Sequence, residues 1–363
     1  MFNLSQVSLP GPAYLHENQL AASCSAVAHL EERHGKRARV RLDALAKPVG
    51  SLGKLEMLAE RLAGIQEGAF PLRATPAVMF TVAADHGVVE EGVAAVPQEI
   101  TARMVGHFLA GGAGINALCR HGGVDLVIID AGVKAALPES AMLLSHKIAW
   151  GTANFTKGPA MTEAECLHAL CLGLCLGRSA GEQGFHVLGV GEMGIGNTTP
   201  STALCCAFLG FSPDEITGAG AGIPHKGLAH KGAVIAAALE MHREQIRAAR
   251  PLPMLAALGG LEIATLAGLI LGGAENRLAV MVDGFIATAA YVVARALCPK
   301  VEEYCFFSHV SAESGHAKVL DALGREALLN LGLRLGEGTG AALGVGVLGA
   351  AAAVYNEMGE LGV

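Results

Sequence analysis

The sequence predicts an α/β protein with a parallel sheet and a smaller helical appendage. Three observations carry that prediction. Short β-branched or apolar runs alternate with longer helical segments from about Ala77 onward. Each run is bounded by Gly or polar residues, so it reads as a buried strand. The chain of 363 residues also exceeds the roughly 250–300 at which a single core stops growing, which leaves room for a second, smaller unit.

The elements follow in order. Residues 1–40 read as a loop and then a helix, ending in the basic run Arg33 to Arg41, a pattern usual for a solvated face. The turn-rich Lys47-Pro48-Val49-Gly50-Ser51-Leu52-Gly53 precedes a helix around Leu55–Gln66. Five strands are expected at Ala77–Ala83, Asp125–Ile129, His186–Val190, Leu278–Val282 and Tyr304–Phe307. Helices are expected at Pro97–Leu109, Ile115–His121, Thr162–Glu182, Pro200–Leu209 and His230–Ala249. Others follow at Leu261–Leu271, Phe285–Ala296 and Gly315–Leu328, and an Ala-rich helix runs from Gly340 to about Glu357.

Composition narrows the class. The chain is 52% hydrophobic, 16% charged and holds 48 Gly, against average values of about 25% charged and about 7% Gly. Disorder is excluded, because low hydrophobicity and high net charge are both missing. Nine Cys in so long a chain are too few for a disulfide scaffold. A net charge of −7 argues against a nucleic-acid partner, which needs a basic domain. The mean hydropathy of +0.44 raises the question of a membrane span. The best window, Leu278 to Leu297, carries Asp283 and Arg295, and the run Leu343 to Tyr355 is short and weakly apolar, so no membrane partner is expected. The N-terminus lacks a basic region followed by an apolar stretch, which points to a cytoplasmic chain with reduced thiols.

The strand ends are informative. The five runs lead into Asp85-His86-Gly87, Asp130-Ala131-Gly132, Gly191-Glu192-Met193-Gly194-Ile195-Gly196-Asn197-Thr198-Thr199, Asp283-Gly284-Phe285 and Ser308-His309-Val310-Ser311-Ala312-Glu313. Ligands of parallel α/β sheets bind outside the carboxyl ends of the strands. One Asp-Gly alone is a turn or a cap; five polar strand ends favour one shared crevice.

Gly189-Val190-Gly191-Glu192-Met193-Gly194 matches G-x-G-x-x-G. No second strand ending in an acidic residue follows about 20 positions on, as the dinucleotide fingerprint requires. A phosphate-type loop is the better reading, with Thr199 as cap and Pro200 opening the helix; a tight structural turn is the alternative. Two more clusters, Gly218-Ala219-Gly220-Ala221-Gly222 and Gly336-Glu337-Gly338-Thr339-Gly340, suit either nucleotide approach or close backbone packing. No C-x-x-C or H-E-x-x-H is present, so no metal is expected. Cys171, Cys175, Cys205 and Cys206 read as small buried apolar side chains.

Together, Lys47 to Glu56, Ala84 to Val88, Gly191 to Thr199, Asp283 to Phe285, Ser308 to Glu313 and Leu335 to Ala342 resemble the nicotinate-nucleotide–dimethylbenzimidazole phosphoribosyltransferase family. The motifs occur in the family's order, from about Asp43 to Gly359.

The resemblance implies a Rossmann-like parallel sheet over 76–328. A small discontinuous helical domain would come from 1–75 and 329–363. It also implies a homodimer whose partner subunit helps form the site, and no cofactor. The implied reaction moves the phosphoribosyl group of nicotinate mononucleotide to 5,6-dimethylbenzimidazole or a related base. Inversion at the anomeric carbon gives α-ribazole 5′-phosphate and nicotinate, for the lower-ligand nucleotide of cobalamin.

By resemblance the general base is Glu313; read alone, it would cap the helix near Gly315. Glu192 and Lys231 match positions near the mononucleotide. Gly194, Gly196, Asn197, Gly220 and Gly222 would hold phosphate and ribose. Asp85, His86, Glu90, Gln98 and Ser308 would line the base pocket. The chain departs from the family at Pro224-His225-Lys226, where many members carry an acidic pair, at Ala221 for Thr, and at Ala94 for Ser. Two other readings compete: an NAD-dependent oxidoreductase, resting on the lone G-x-G-x-x-G, and a non-catalytic nucleotide-binding regulator.

Overall fold

The computed structural model describes residues 1–9, 17–220 and 222–361, without the His225 side chain. Seven strands form one sheet: β1 Ala77–Ala84, β2 Asp125–Gly132, β3 Leu143–Ser145, β4 Val187–Met193, β5 Ala279–Val282, β6 Cys305–His309 and β7 Ala327–Leu329. Their order is β3-β2-β1-β4-β5-β6-β7, and all six pairings are parallel. The five long runs expected from the sequence are all strands. Every residue of β1, β4, β5 and β6 is buried, as a sheet covered on both faces demands. The chain's progression across the sheet reverses between β1 and β4, where Val82 pairs with Glu192. That switch point is where ligands of doubly wound folds bind.

The two faces can be told apart by alternation along β4. A Cβ on Gly189 would lie 2.3 Å from the Met79 methyl and 3.7 Å from Ala341, so Gly189 faces the C-terminal helix Thr339–Glu357. The side chain of Leu188 points the other way, toward Gly273 of the helix Leu261–Glu275.

Much of the Gly excess has a packing role. The helices Glu163–Glu182 and Leu261–Glu275 meet through Gly173 and Gly177 on one and Gly268 and Gly272 on the other. A Cβ at Gly173 would lie 1.9 Å from the Thr265 carbonyl, and one at Gly268 would lie 2.0 Å from the Leu170 carbonyl. The backbones touch, which only residues without a Cβ permit.

Several expectations need correction. Among the described residues, the first 40 hold two α-helices, Glu17–Ala26 and the start of Glu32–Ala44, besides a 3-10 turn at Leu4–Gln6. Strands β3 and β7 were not anticipated: each has three residues at a sheet edge and none of the apolar length that marks the others. The helix expected over Gly315–Leu328 is only His316–Ala322, because the chain turns at Gly324 (φ +63°) and enters β7. His230–Ala249 is two helices, His225–Met241 and Arg243–Ala248, broken at buried His242, whose Nε2 contacts the Phe155 carbonyl. Pro251–Leu258 forms a further helix. The C-terminal helix spans 19 residues and, among the described residues, is the one long and apolar enough to cross a membrane; its apolar window is 56% buried. All nine cysteines are free.

Candidate active site

At the switch point the carboxyl ends of β4, β5 and β6 open into a crevice of about 130 Å³. Glu192, Gly194, Asn197, Gly220 and Glu313 line it, and Thr198, Asp283, His309, Ser311 and Arg334 are the other polar residues on its wall. Of the expected site residues, these first five are brought together.

Glu192 is the sixth residue of β4 and is buried. Burial pushes its carboxyl up to about 8; the Asn197 side-chain amide, which donates to Oε2, works against the shift, and Glu262, Asp283 and Glu337 add to it. Asp283, just past β5, is pushed up to about 7 by burial, against the pull of backbone N–H donors from Gly338 and Ala341 at 3.1 and 2.9 Å. Glu337 is raised by burial, and its Oε2 has no partner. Burial therefore biases the carboxyls on the floor of the crevice toward their neutral forms, while Arg334 places one cation on its wall.

Glu313 lies on the loop after β6. Its carboxylate accepts from the Gly220 N–H, with both oxygens close at 3.0 and 3.1 Å. It does not cap the following helix: only its backbone carbonyl meets His316 N. The Gly220 N–H is thus directed at Glu313, not into open space. Gly218 allows the approach, since a Cβ there would lie 2.0 Å from Glu313 Oε1.

Lys231 stands one layer behind. It is fully buried, and Nζ donates to Thr198 Oγ1 at 2.7 Å and to the Gly218 carbonyl at 3.0 Å. Burial lowers it to about 8, and Glu313 pulls the other way. Gly196 forms the turn at φ +89° but lies outside the crevice wall, as does exposed Gly222. Asn197, not Thr199, is the N-cap residue, and the helix starts at Thr198 rather than Pro200. The Thr199 hydroxyl is buried without a partner.

The residues expected around the base do not form one wall. Asp85 and His86 directly follow β1 and are buried: Asp85 accepts from Lys134 N at 2.7 Å, and His86 Nε2 meets Glu262 at 2.7 Å. Burial opposes a charge on His86, but Glu262 outweighs it and raises the ring's pKa. Gln98 donates to the His86 carbonyl at 2.8 Å. Glu90 is exposed and pairs with Lys157 at 3.1 Å. Ser308 donates to the Asp283 carbonyl at 3.0 Å, inside the sheet end. A larger cavity of about 340 Å³ borders Gly151, but Glu163 and Glu165 are its only charged walls, so it gathers no comparable set of groups. Ala221 and the His225 side chain lie outside the described residues.

The G-x-G-x-x-G match does not behave as a dinucleotide loop. Gly189 and Gly191 lie within β4, and a Cβ on Gly191 would lie 2.3 Å from Gly338 N. These glycines admit the third Gly cluster against the sheet, so that cluster is close backbone packing, with Gly336 alone on the crevice wall. Sequence reasoning missed Thr198 and Arg334, which line the crevice, and Glu262 and Glu337, which act on Glu192. Their signal was weak: each sits in a helix start or loop far along the chain from its partner.

A doubly wound parallel sheet with an acidic crevice and Gly-rich turns at its switch point defines an α/β ligand-binding protein of the nucleotide-binding type. A family model described as Phosphoribosyltransferase matches residues 27–362. The nicotinate-nucleotide–dimethylbenzimidazole phosphoribosyltransferase of Nitratidesulfovibrio vulgaris (strain DP4) is 51% identical, over 94% of this chain and 96% of its own. The protein of that name from Oleidesulfovibrio alaskensis is 53% identical, over 88% and 90%. The crystal structure of CobT from Thermus thermophilus superposes with a TM-score of 0.86 at 41% identity, covering 90% of this chain and 97% of that one. The chain belongs to this phosphoribosyltransferase family.

Proposed function

We propose that this chain transfers the phosphoribosyl group of nicotinate mononucleotide to 5,6-dimethylbenzimidazole or a related base. The products are α-ribazole 5′-phosphate and nicotinate, with inversion at the anomeric carbon, for the lower-ligand nucleotide of cobalamin. The names of the relatives support the substrates. The observation that carries the mechanism is the Glu313 carboxylate, held on the Gly220 N–H at the crevice wall.

The chemistry asks little of the protein. The leaving pyridine carries a positive charge on its glycosidic nitrogen, and departure neutralises it, so no general acid is needed. One benzimidazole nitrogen attacks the anomeric carbon as that C–N bond breaks. The proton on the other ring nitrogen passes to Glu313. Glu192 and Asp283 face the positive charge that develops on the ribose, which draws them toward their ionised forms. Lys231, behind the Gly218–Gly220 turn, offsets the phosphate charge, and the backbone N–H of Gly194 on the crevice wall supplies a donor; the Asn197 and Gly222 N–H groups are already spent on the Gly194 and Ala219 carbonyls. Asp85, His86, Glu90, Gln98 and Ser308 act on the base side, with His86–Glu262 as a rigid support.

We further infer a cytoplasmic homodimer. The family resemblance supports the dimer. The helical unit of 1–75 with 329–363 and the sheet unit of 76–328 remain the division we propose. Packing of the C-terminal helix against both Lys54–Ile65 and the sheet gives the two a shared core. Mass spectrometry of products from nicotinate mononucleotide with a panel of bases tests the function. Release of nicotinate together with a ribosylated base phosphate is expected. NADH binding without nicotinate release would favour an oxidoreductase instead.

A further inference from the structure

The loop that carries Glu313 is held by a buried histidine. Ser311 N donates to His316 Nδ1 at 2.8 Å, and His316 Nε2 meets Thr288 Oγ1 at 2.9 Å. Ser311 in turn accepts the Glu313 N–H on its Oγ at 3.2 Å. His316 N closes the loop on the Glu313 carbonyl at 3.0 Å. All of these side chains but Ser311 and Glu313 are fully buried, and those two are nearly so.

The tautomer follows from the donors. A backbone N–H can only donate, so Nδ1 is bare. The neutral ring then carries its proton on Nε2 and donates it to Thr288 Oγ1. Burial, with His309 adding to it, lowers the ring to about 3, so it stays neutral over any working pH. Thr288 belongs to the helix Phe285–Leu297, which starts directly after Asp283-Gly284. The ring therefore braces the Glu313 loop against the end of β5, which supplies Asp283 to the same crevice.

We propose that His316 is a positioning residue for Glu313: its bare Nδ1, set by Thr288, fixes the Ser311 turn and hence where the carboxylate stands against the incoming base. This rests on the reading of Glu313 as the general base. His316 touches no substrate, so its loss acts on the chemical step and leaves mononucleotide binding in place.

The test is steady-state nicotinate release with nicotinate mononucleotide and dimethylbenzimidazole, for His316→Leu, His316→Asn and His316→Gln. His316→Leu lowers kcat about a hundredfold, the size expected for a reacting group about 1 Å out of place. KM for the mononucleotide stays within about threefold. The Asn side-chain oxygen falls where Nδ1 was and the Gln oxygen where Nε2 was. His316→Asn is therefore faster than His316→Gln by about tenfold or more, a comparison that holds even where the Leu variant does not fold. Equal rates for Asn and Gln, or a Leu variant whose kcat matches the unsubstituted chain, overturn the positioning role. No nicotinate release by the unsubstituted chain, or full rate in Glu313→Gln, counts instead against the function on which the role rests.

Discussion

Glu313 and Gly220 face each other across the crevice, with both carboxylate oxygens 3.0–3.1 Å from one backbone N–H. The neighbouring Gly218 makes this possible, since a Cβ there would meet Glu313 Oε1 at 2.0 Å. Gly218→Ala therefore displaces the carboxylate and not the backbone, because the obstructed atom is the end of a flexible side chain. We expect kcat to fall about a hundredfold with the thermal midpoint nearly unchanged. A large loss of stability with normal kcat would contradict this.

Lys231 is fully buried, and among the described residues its partners are Thr198 Oγ1 and the Gly218 carbonyl. No carboxylate among the described residues stands within ion-pair distance, and on the proposed reading an incoming phosphate ester would be its counterion. Lys231→Met keeps the apolar stem and removes the charge. Calorimetry is expected to find affinity for the mononucleotide about tenfold weaker or more. Unchanged affinity would show that the backbone donors suffice.

The acidic floor makes stability pH-dependent, and the sign can be worked out. Glu192 stands at about 8 against 4.5, and Asp283 at about 7 against 3.8, burial being the main cause of both. With the folded pKa above the unfolded one, their contribution is fully present below about pH 4 and is lost as pH rises toward 8. Lys231, lowered to about 8 from 10.5, contributes fully above about pH 10.5 and loses that contribution as pH falls through 8. Below about pH 6.5 buried His316, lowered to about 3, works the other way, so the decline in urea midpoint is expected from about pH 6.5 to about pH 8. Glu192→Gln should flatten that decline by up to about 1.4 kcal/mol per pH unit. Parallel profiles for the two chains would contradict the account.

The helix pair behind the sheet rests on Gly173 and Gly268, whose missing Cβ atoms bring backbone to backbone. Gly173→Ala would put a methyl 1.9 Å from the Thr265 carbonyl, which cannot move alone. We expect a loss of about 3 kcal/mol from this overpacking, measured as a lower urea midpoint. An unchanged midpoint would mean that the helices separate freely.

How much was legible follows physical lines. β1, β2, β4, β5 and β6 were readable because strands covered on both faces become unbroken apolar runs. β3 and β7 were not, since three-residue edge strands take their identity from a neighbour rather than from their own residues. The polar strand ends pointed to the crevice, and Glu192, Asn197, Gly220 and Glu313 met there. Asp283 was visible as a strand end, but its two backbone donors lie 55 and 58 residues further on. The Thr199 cap failed because Asn197, turned toward Glu192, takes the N-cap position. The Gly excess was assigned partly to anion loops. Gly336–Gly340 and the helix glycines show instead that close packing takes a large share.

The central claim is that Glu313 takes the proton from the attacking base. The most direct measurement compares nicotinate release by the unsubstituted chain and by Glu313→Gln at saturating nicotinate mononucleotide and dimethylbenzimidazole, with the mononucleotide Kd measured for both. Gln keeps the shape and leaves an amide that cannot accept the proton. An unchanged Kd and a rate lower by about a hundredfold or more are expected. Equal rates in the two chains would contradict the claim.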